Sequence, residues 1–313
     1  MRRVLLLGKN GQLGWELQRS LAPLAELIAL DRREVPAPSA RLRGADARQF
    51  LCGDLGLLDR LETTVKVLAP DVIVNAAAYT SVDKAETDED AARAINATAP
   101  GVLGRLCAEL GALLVHFSTD YVFDGTGTEP WRETDAVGPL SVYGKTKLEG
   151  EELIRASGCR HLILRTSWVY GARGANFAKT ILRLAAEREA LHVIDDQIGA
   201  PTGADLLADV TAHALRGVTG RNDLVGTYHV AAMGETSWFE YARFVIECAL
   251  AKGWMLNVMS DGVRPVPNSA YPLPAQRPSN SRLNCKKFEK TFSLRMPHWQ
   301  YGVERLLGEL APA

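Results

Sequence analysis

Short apolar runs alternate with longer helical patterns through the first two-thirds of the chain. The runs predict strands at Arg3–Leu7, Leu27–Leu30, Val72–Asn75, Leu113–Ser118 and His161–Arg165. The helical patterns between them cover Gln12–Leu21, Leu57–Leu68, Asp88–Leu110 and Tyr143–Ala156. Because the runs are apolar along their whole length, both faces of the sheet must be covered. The pattern therefore predicts the α/β class, with a doubly wound parallel sheet.

Three glycines stand between the first predicted strand and the first helix. Gly8, Gly11 and Gly14 are spaced Gly-x-x-Gly-x-x-Gly. In such a turn the first glycine permits the sharp bend, the second lets the backbone approach a pyrophosphate, and the third lets helix and strand pack closely. The helix N-terminus adds free N–H donors. A glycine-rich turn without a ligand is the alternative, but the order of strand, turn and helix favours a Rossmann-type site for NADPH or NADH.

Charged side chains follow the next two predicted strands. Asp31 ends the second strand, where a carboxylate can accept hydrogen bonds from the adenosine ribose. Arg32 and Arg33 come next and could pair with the 2′-phosphate of NADPH, although a solvated charged turn is the alternative for them. Asp54 follows Phe50–Gly53, the predicted third strand, where it could contact the adenine amino group. The sequence thus leaves the choice between NADH and NADPH open.

A hydroxyl, a phenol and an amine form the candidate catalytic set. Thr119 follows a predicted strand, and Tyr143 and Lys147 are four residues apart on a predicted helix, so their side chains share one face. A protonated Lys147 would lower the pKa of Tyr143 and make it a usable acid, while Thr119 would orient a carbonyl. An amphipathic surface pair is the alternative for Tyr-x-x-x-Lys alone. Its position after a strand end and a dinucleotide turn favours catalysis.

Composition and charge exclude several classes of function. The 36 basic and 37 acidic residues give a net charge of −1, and no basic stripe indicates nucleic acid as a partner. No run approaches the ~18 apolar residues of a membrane span, and Val4–Leu7 is shorter than the ~7–15 residues of a signal-peptide core. The scattered cysteines indicate a cytoplasmic protein, and the histidines show no metal-binding pattern.

The regular alternation loosens after about Ser167. Helical patterns continue at Phe177–Arg188, Leu206–Leu215 and Trp238–Ala251, and the proline-rich stretch Val263–Pro278 predicts an extended loop. A chain of 313 residues also exceeds the usual size of one hydrophobic core. We predict a dinucleotide-binding domain with the catalytic residues over 1–167. A smaller, mainly substrate-binding region over 168–313 would cover the strand ends, and segments of it could return to the first domain.

Six motifs spread along the chain carry a resemblance to a known family. They are Gly8–Leu17, Asn75–Glu86, Ser118–Gly125, Tyr143–Gly150, Arg165–Tyr170 and Arg277–Leu283. With them the chain resembles the extended short-chain dehydrogenases/reductases over nearly its whole length, and within these the dTDP-4-dehydrorhamnose reductases. The glycine turn or Tyr-x-x-x-Lys alone would indicate only the superfamily, whereas the motifs together are specific.

The resemblance implies the site residues. The implied catalytic set is Thr119, Tyr143 and Lys147, with Thr119 standing where many relatives have serine. The implied cofactor contacts are Gly8, Gly11, Gln12, Leu13, Asp31, Arg32, Asp54, Leu55, Ala76, Ala77, Tyr79, Tyr143 and Lys147. The segment between Asp31 and Asp54 is longer and richer in arginine than is usual for the family, which bears on the 2′-phosphate preference. The resemblance also implies a cytoplasmic homodimer that serves lipopolysaccharide and exopolysaccharide synthesis.

The predicted substrate contacts belong to a dTDP-sugar. They are Thr119, Asp120, Tyr121, Trp168, Asn176, Gln197 and Arg277. The indole face of Trp168 suits a deoxysugar, with a core tryptophan as the alternative. The guanidinium of Arg277 can grip a diphosphate, with a surface or helix-capping arginine as the alternative. Asp195 and Asp196 could hold a hard cation, but a solvated loop explains them better.

The resemblance implies reduction of the C4 ketone of dTDP-4-dehydro-β-L-rhamnose by NAD(P)H, and the residues themselves indicate Tyr143 as the proton donor. Two alternatives stay open at the level of sequence. One is an epimerase or dehydratase of the same extended family that recycles its bound NAD. The other is a binding protein similar to the regulatory β subunit of methionine adenosyltransferase. Consumption of NAD(P)H separates the reductase from the first alternative. Loss of the Tyr/Lys pair or of the substrate loop would favour the second, and this sequence has both.

Overall fold

The computed structural model describes residues 2–33, 35–36 and 50–311. Its strands, in chain order, are β1 Arg3–Leu7, β2 Glu26–Leu30, β3 Val35–Pro36, β4 Phe50–Leu51, β5 Val72–Asn75, β6 Leu113–Thr119, β7 Arg160–Thr166, β8 Val169–Tyr170, β9 Leu191–Ile194, β10 Ile198–Gly199, β11 Thr202–Gly203, β12 Gly226–His229, β13 Thr236–Ser237 and β14 Val263–Val266. Its α-helices are α1 Gln12–Leu21, α2 Leu58–Leu68, α3 Val82–Ala85, α4 Glu89–Arg93, α5 Ala99–Leu110, α6 Val142–Ala156, α7 Phe177–Glu187, α8 Ala204–Gly217, α9 Trp238–Ala251, α10 Lys286–Phe292 and α11 Trp299–Leu310. A π-helical segment, Ala94–Thr98, joins α4 to α5.

Six strands of the described chain form one central sheet in the order β12-β7-β6-β5-β1-β2. Every neighbouring pair in it is parallel. The predicted doubly wound parallel sheet is thereby confirmed. The chain first builds outward from β1 to β2 and then crosses to β5 on the other side, so the strand order reverses between β1 and β5. In sheets of this kind the crevice at that reversal is where ligands bind.

Helices cover both faces of the sheet because alternate strand residues point to opposite sides. On one face Val4 and Leu6 pack with residues of α1, α8 and α10. On the other face Leu5 and Leu7 pack with residues of α2, α5 and α6. Each of these four side chains is almost completely buried. This arrangement explains why the strand sequences are apolar along their whole length.

A second hydrophobic core lies in the chain after β7. It joins residues of α7, α9 and α11 to β9 and β14, with Tyr241 and Trp299 among its largest buried side chains. The same part of the chain also contributes to the main sheet, since β12 pairs with β7 and α8 packs against the face covered by α1. The division at residue 167 stays a prediction.

Three details differ from the sequence-based expectation. Phe50–Gly53 was expected to form a third parallel strand, but only Phe50–Leu51 is a strand, and it pairs antiparallel with Val35–Pro36. Val263–Val266, expected within a loop, forms a parallel strand with β9 because Val263 is buried in the second core. The sheet strand β12 was not predicted, because Gly226–His229 is short and has one apolar side chain among its four residues.

No α-helix of the described residues is both long enough and apolar enough to span a membrane.

Candidate active site

The glycine turn after β1 brings two loops into close contact. Gly8 has a φ of +85°, in the left-handed region that favours glycine. A Cβ on Gly8 would lie 2.7 Å from the backbone nitrogen of Ala77, in the loop that follows β5. A Cβ on Gly14 would lie 2.0 Å from the carbonyl oxygen of Gly8. The turn therefore has no room for a side chain at either position.

The same turn fits the diphosphate of a dinucleotide. α1 begins at Gln12 directly after Gly11, and its N-cap makes no side-chain hydrogen bond in the described structure. The first N–H groups of the helix, including those of Gln12 and Leu13, can therefore donate to phosphate oxygens. The small residues Ala76 and Ala77 line the other side of the β1–β5 reversal. Backbone donors, helix end and small side chains together match the needs of this cofactor.

An acidic and two basic side chains share the end of β2. The carboxylate of Asp31 accepts hydrogen bonds from Asn10 Nδ2 and from the N–H of Arg33, the latter at 2.8 Å. The side chain of Arg33 is 85% exposed, and Arg32 is also exposed. A ribose acceptor and 2′-phosphate donors are thus both present. The arginine-containing stretch that follows, residues 37–49, lies outside the described residues.

The other predicted cofactor contacts lie on either side of β1. Beyond β2, Asp54 Oδ1 accepts the N–H of Gly56 at 2.9 Å, and the side chain of Leu55 is buried. Beyond β5, the N–H of Tyr79 donates to Asn96 Oδ1 at 2.9 Å. These contacts fix the loops at the carboxyl ends of the strands, where the dinucleotide would lie.

Two contacts join the dinucleotide turn to the loop before α7. Asn176 caps α7 by accepting from the N–H of Lys179, and its Nδ2 donates to Gln12 Oε1 at 3.1 Å. The guanidinium of Arg173 lies 3.9 Å above the ring of Trp15, which is a cation–π geometry. Asn176, predicted as a sugar contact, is thus bonded within the protein beside the cofactor turn.

The end of β6 carries a hydroxyl and a buried carboxyl group. Thr119 Oγ1 donates to Asp120 Oδ1 at 3.0 Å and accepts from the N–H of Tyr121 at 3.2 Å. Asp120 is only 2% exposed, and no other described group bonds to its Oδ2. Burial raises the pKa of Asp120 to about 6, although the Ser281 and Thr119 side chains act in the opposite direction. The group therefore titrates close to the physiological range.

Helix α6 is held against β6 by its capping residue and two glycines. Ser141 caps it by accepting the N–H of Gly144 at 3.2 Å. A Cβ on Gly144 would lie 2.3 Å from the carbonyl oxygen of Tyr121, and one on Gly150 would lie 2.1 Å from that of Asn96. The approach at Gly144 brings the first turn of α6, with Tyr143 on it, against the segment that follows β6, and the approach at Gly150 packs α6 against the π-helical segment Ala94–Thr98.

Tyr143 meets Thr119 and Tyr121 at this junction. Its ring packs edge-on against Tyr121 with centroids 5.5 Å apart. Burial, reinforced by the charge of Asp120, raises the pKa of Tyr143 to about 12, while the nearby Thr119 hydroxyl acts in the opposite direction. The expectation that Lys147 lowers this pKa is wrong, because burial dominates and the lysine is engaged elsewhere.

The amine of Lys147 is buried and hydrogen-bonds to the backbone of β6. Its Nζ donates to the carbonyl oxygen of Phe117 at 2.6 Å and lies 3.2 Å from His116 Nε2. Burial lowers the pKa of Lys147 to about 8, although the charge of Glu151 raises it. The lysine can therefore gain or lose a proton near neutral pH.

The predicted diphosphate ligand lies beside the same cluster. Arg277 Nη2 donates to Asp83 at 2.8 Å, and the charge of the guanidinium acts on the nearby Tyr121. Its Nη1 is buried, and it has no hydrogen-bond partner among the described residues. One edge of the guanidinium is thus left for an anionic ligand.

Trp168 and Gln197 belong to an aromatic cluster of the second core. Trp168 has a φ of +49°, and its ring stacks on Trp238 with centroids 3.6 Å apart. A Cβ on Gly199 would lie 2.7 Å from the Trp168 ring. Gln197 accepts from Trp238 Nε1 at 3.1 Å and donates to Asn268 at 2.9 Å. One face of the Trp168 ring is therefore covered by Trp238, and Gln197 links Trp238 to Asn268 by hydrogen bonds. Contact of Trp168 and Gln197 with a sugar stays a prediction.

Sequence reasoning missed two buried groups that position α6. Glu151, which is fully buried, accepts from Arg165 on β7 at 2.9 and 2.7 Å and so ties α6 to the sheet. His116, also fully buried, contacts Lys147 from β6. A single polar residue inside the apolar run Leu113–Phe117 was the available signal for His116.

Comparison with known proteins agrees with this geometry. The family described as RmlD substrate binding domain matches residues 1–311. A dTDP-4-dehydrorhamnose reductase from Shigella flexneri is 52% identical over 307 residues, covering 98% of this chain and 97% of the relative. The crystal structure of a dTDP-4-dehydrorhamnose reductase from Bacillus anthracis in complex with NADP is 33% identical with a TM-score of 0.83, covering 98% of this chain and 99% of that one.

A more distant structure shares the fold alone. The UDP-glucose 4-epimerase of Thermus thermophilus, crystallised with NAD, is 21% identical with a TM-score of 0.78 and covers 99% of both chains. The two reductases above also share sequence with this chain, at 52% and 33% identity over nearly their full lengths. The chain belongs to the RmlD substrate binding domain family, together with the dTDP-4-dehydrorhamnose reductases.

Proposed function

We propose that the protein reduces the C4 ketone of dTDP-4-dehydro-β-L-rhamnose to dTDP-L-rhamnose with NADPH or NADH. The observation that carries the proposal is that the side chains of Thr119 and Tyr143 both contact Tyr121 at the carboxyl end of β6, in a sheet whose β1–β5 reversal fits a dinucleotide. The full-length match to dTDP-4-dehydrorhamnose reductases supports the choice of substrate.

The proton chemistry follows from the two hydroxyls. With its pKa raised to about 12, Tyr143 stays protonated near neutral pH and is able to act as an acid. An alkoxide is a stronger base than a phenolate, so proton transfer from Tyr143 to the developing alkoxide is favourable. Thr119 would orient the ketone oxygen toward Tyr143. The bound nicotinamide supplies the hydride.

The remaining residues would bind the two ligands. Gly8, Gly11 and the start of α1 would hold the cofactor diphosphate, and Lys147 would bind the nicotinamide ribose. The free edge of Arg277 would pair with the diphosphate of the dTDP-sugar. Asp120, with one carboxylate oxygen left without a partner among the described groups, would bind a sugar hydroxyl.

Replacement of the proposed acid tests the reaction. Tyr143→Phe removes only the phenolic oxygen, so we expect kcat to fall by about 10²-fold or more while NADPH affinity changes little. Tyr241→Phe is the control, because Tyr241 is a buried tyrosine that lies in the second core and not at the proposed site. The measurement is NADPH consumption with the substrate generated in situ, together with NADPH binding by fluorescence.

The same assay separates the alternatives. Sugar conversion without net NADPH consumption would identify a recycling epimerase or dehydratase. Tight NADPH binding with no sugar conversion would identify a binding protein. Near-normal turnover in the Tyr143→Phe variant would remove Tyr143 from its proposed role.

Assembly and location are part of the proposal. We expect a homodimer in the cytoplasm whose product serves lipopolysaccharide or exopolysaccharide synthesis. Light scattering on the purified protein measures the oligomeric state, and cell fractionation measures the location.

A further inference from the structure

The loop 171–176 joins β8 to α7 and lies against Gln12, the first residue of α1. A Cβ on Gly174 would lie 3.1 Å from Gln12 Cγ, and one on Gly171 would lie 3.7 Å from Gln12 Cβ and Oε1. Lys179 holds the loop in shape, because its Nζ donates to two carbonyl oxygens of the loop at 2.9 and 2.8 Å. The side chain of Gln12 is therefore packed against a loop whose backbone is itself fixed by hydrogen bonds.

Backbone groups set the orientation of the Asn176 amide. Its Oδ1 accepts from the N–H of Lys179 at 3.1 Å, and its Nδ2 donates to the carbonyl oxygen of Gly171 at 2.7 Å. A backbone N–H only donates and a carbonyl oxygen only accepts, so this amide cannot be turned over. Nδ2 also lies 3.1 Å from the amide of Gln12. The atom of Gln12 that faces this donor must therefore be its oxygen, Oε1.

The other end of the Gln12 amide is available to a ligand. No described residue accepts a hydrogen bond from its Nε2, and this nitrogen is not among the buried polar atoms without a partner in the described chain, so it is accessible. Gln12 also begins the helix whose first N–H groups face the proposed site of the dinucleotide diphosphate. Two further N–H donors at this position suit an anion, because hydrogen bonds to charged acceptors are the stronger ones.

We propose that Asn176 is a positioning residue for the cofactor: it turns the Gln12 amide so that Nε2 donates to the dinucleotide diphosphate. A glutamine without this restraint presents either end, and its oxygen would be repelled by the diphosphate. Because α7, which Asn176 caps, belongs to the second core, that core takes part in cofactor binding. The inference deepens the function proposed above and rests on the dinucleotide site that it includes.

The dTDP-sugar carries a diphosphate as well. The dinucleotide is the better partner for Gln12, because Gln12 directly follows the glycine turn between β1 and α1. The proposed ligand of the sugar diphosphate, Arg277, lies instead beside Tyr121 in the segment that follows β6. Separate binding measurements with the two nucleotides distinguish these sources.

Asn176→Ser tests the proposal. Serine is as good an N-cap as asparagine, so α7 keeps its first turn, but serine has no NH₂ group to hold Gln12. We expect the Kd for NADPH to rise about fivefold, the order of one weakened hydrogen bond to a charged group, and the Tm to stay close to wild type. Asn257→Ser is the matched control, because Asn257 Nδ2 also donates to a backbone carbonyl oxygen at 2.7 Å, that of Ala186 near the other end of α7. This variant should bind NADPH normally.

A double-mutant cycle separates positioning from a structural effect. Gln12→Met keeps a side chain of similar length against the loop 171–176 but removes the amide. If Asn176 acts through Gln12, Asn176→Ser should change the NADPH Kd by less than about twofold in the Gln12→Met protein. An equal rise in both backgrounds, or no rise in the wild-type background, would overturn the proposal.

Ligand fragments identify the group that is bound. ADP-ribose keeps the cofactor diphosphate but lacks the nicotinamide, so its affinity should fall in Asn176→Ser as that of NADPH does, while the affinity for dTDP should not change. Weaker dTDP binding with normal NADPH binding would overturn the proposal and assign Gln12 to the sugar nucleotide. Fluorescence and calorimetry measure each Kd without turnover. If the wild-type protein binds NADPH but reduces no dTDP-sugar, the proposed reaction fails, and the role of Asn176 is still decided.

Discussion

Asp120 shows how the site sets the chemistry of a single residue. Its carboxyl group is 2% exposed, and burial raises its pKa from 3.8 to about 6. A group whose folded pKa is raised contributes stability that is fully present below the unfolded pKa and is lost as pH rises through the folded value. Asp120 therefore destabilises the folded chain progressively between about pH 4 and pH 6 and remains destabilising above that range.

The prediction is made with Asp120→Asn, which cannot ionise. As pH rises from about 4.5 to about 8, the Tm of the variant should increase relative to the Tm of the wild type, because only the wild type must bury a carboxylate. Thermal unfolding at the two pH values measures it, with the exposed Asp261→Asn as the control. A difference that is constant or shrinks with rising pH would show that Asp120 is not held in this way.

Residues of the site were predictable to different degrees. Thr119, Tyr143 and Lys147 could be found from the sequence because a hydroxyl at a strand end and a Tyr-x-x-x-Lys spacing have a recognisable pattern. The direction of the Tyr143 pKa shift could not, since it depends on burial and on the distance to Asp120. The partner of Lys147 could not be predicted either, because His116 is brought to it by the pairing of separate elements.

The glycine turn between β1 and α1 cannot accommodate a side chain at Gly8 or Gly14. A Cβ on Gly14 would lie 2.0 Å from the carbonyl oxygen of Gly8, so the helix must move away from the turn to accept one. The same movement would displace the N–H groups that face the diphosphate. A substitution here is thus expected to act on cofactor binding as well as on stability.

Gly14→Ala tests that expectation. We expect NADPH affinity to fall by about tenfold or more and Tm to decrease, because the clash involves backbone atoms that cannot rotate away. Gly308→Ala is the matched control, since Gly308 lies inside α11 with only the flexible end of Lys252 nearby, at 3.7 Å. That variant should bind NADPH normally and be as stable as wild type or more so, because alanine favours a helix over glycine. Unimpaired NADPH binding by Gly14→Ala would contradict the tight fit.

At the same scale, hydrophobic patterning succeeded for long elements and failed for short ones. The strands buried on both faces, such as β5 and β6, stand out as continuous apolar runs. β12 escaped prediction because Gly226–His229 begins with two residues of weak apolar character and is a strand only through pairing with β7. β14 was hidden by Pro265, which suggests a loop but is tolerated in a strand that pairs on one side.

The molecule as a whole depends on contacts between distant parts of the chain. β12 completes the main sheet beside β7, and α8 covers the face on which Leu17 and Leu21 of α1 lie. Asn176 and Arg173 reach back to Gln12 and Trp15 at the dinucleotide turn. Residues 1–167 therefore depend on contacts from the rest of the chain to complete the sheet and the dinucleotide turn.

A fragment ending at residue 167 makes this testable. It would leave the β7 edge unpaired and the apolar face under α8 exposed, so we expect it to bind no NADPH and to aggregate or bind a hydrophobic dye. The measurements are NADPH fluorescence and light scattering, and the control is coexpression with residues 168–313, which should restore binding. A soluble, NADPH-binding fragment would show that the first 167 residues form an independent domain.

The late position of β12 also concerns the nascent chain. During translation, the other five strands of the central sheet emerge from the ribosome before Gly226–His229 is made. Until β12 is present, the edge of β7 that pairs with it is open. Open edges and uncovered apolar faces are the features that chaperones recognise and that lead to misassembly. Slow codons between β7 and β12 would prolong that exposure. We therefore expect them to lower the yield of folded protein in heterologous expression.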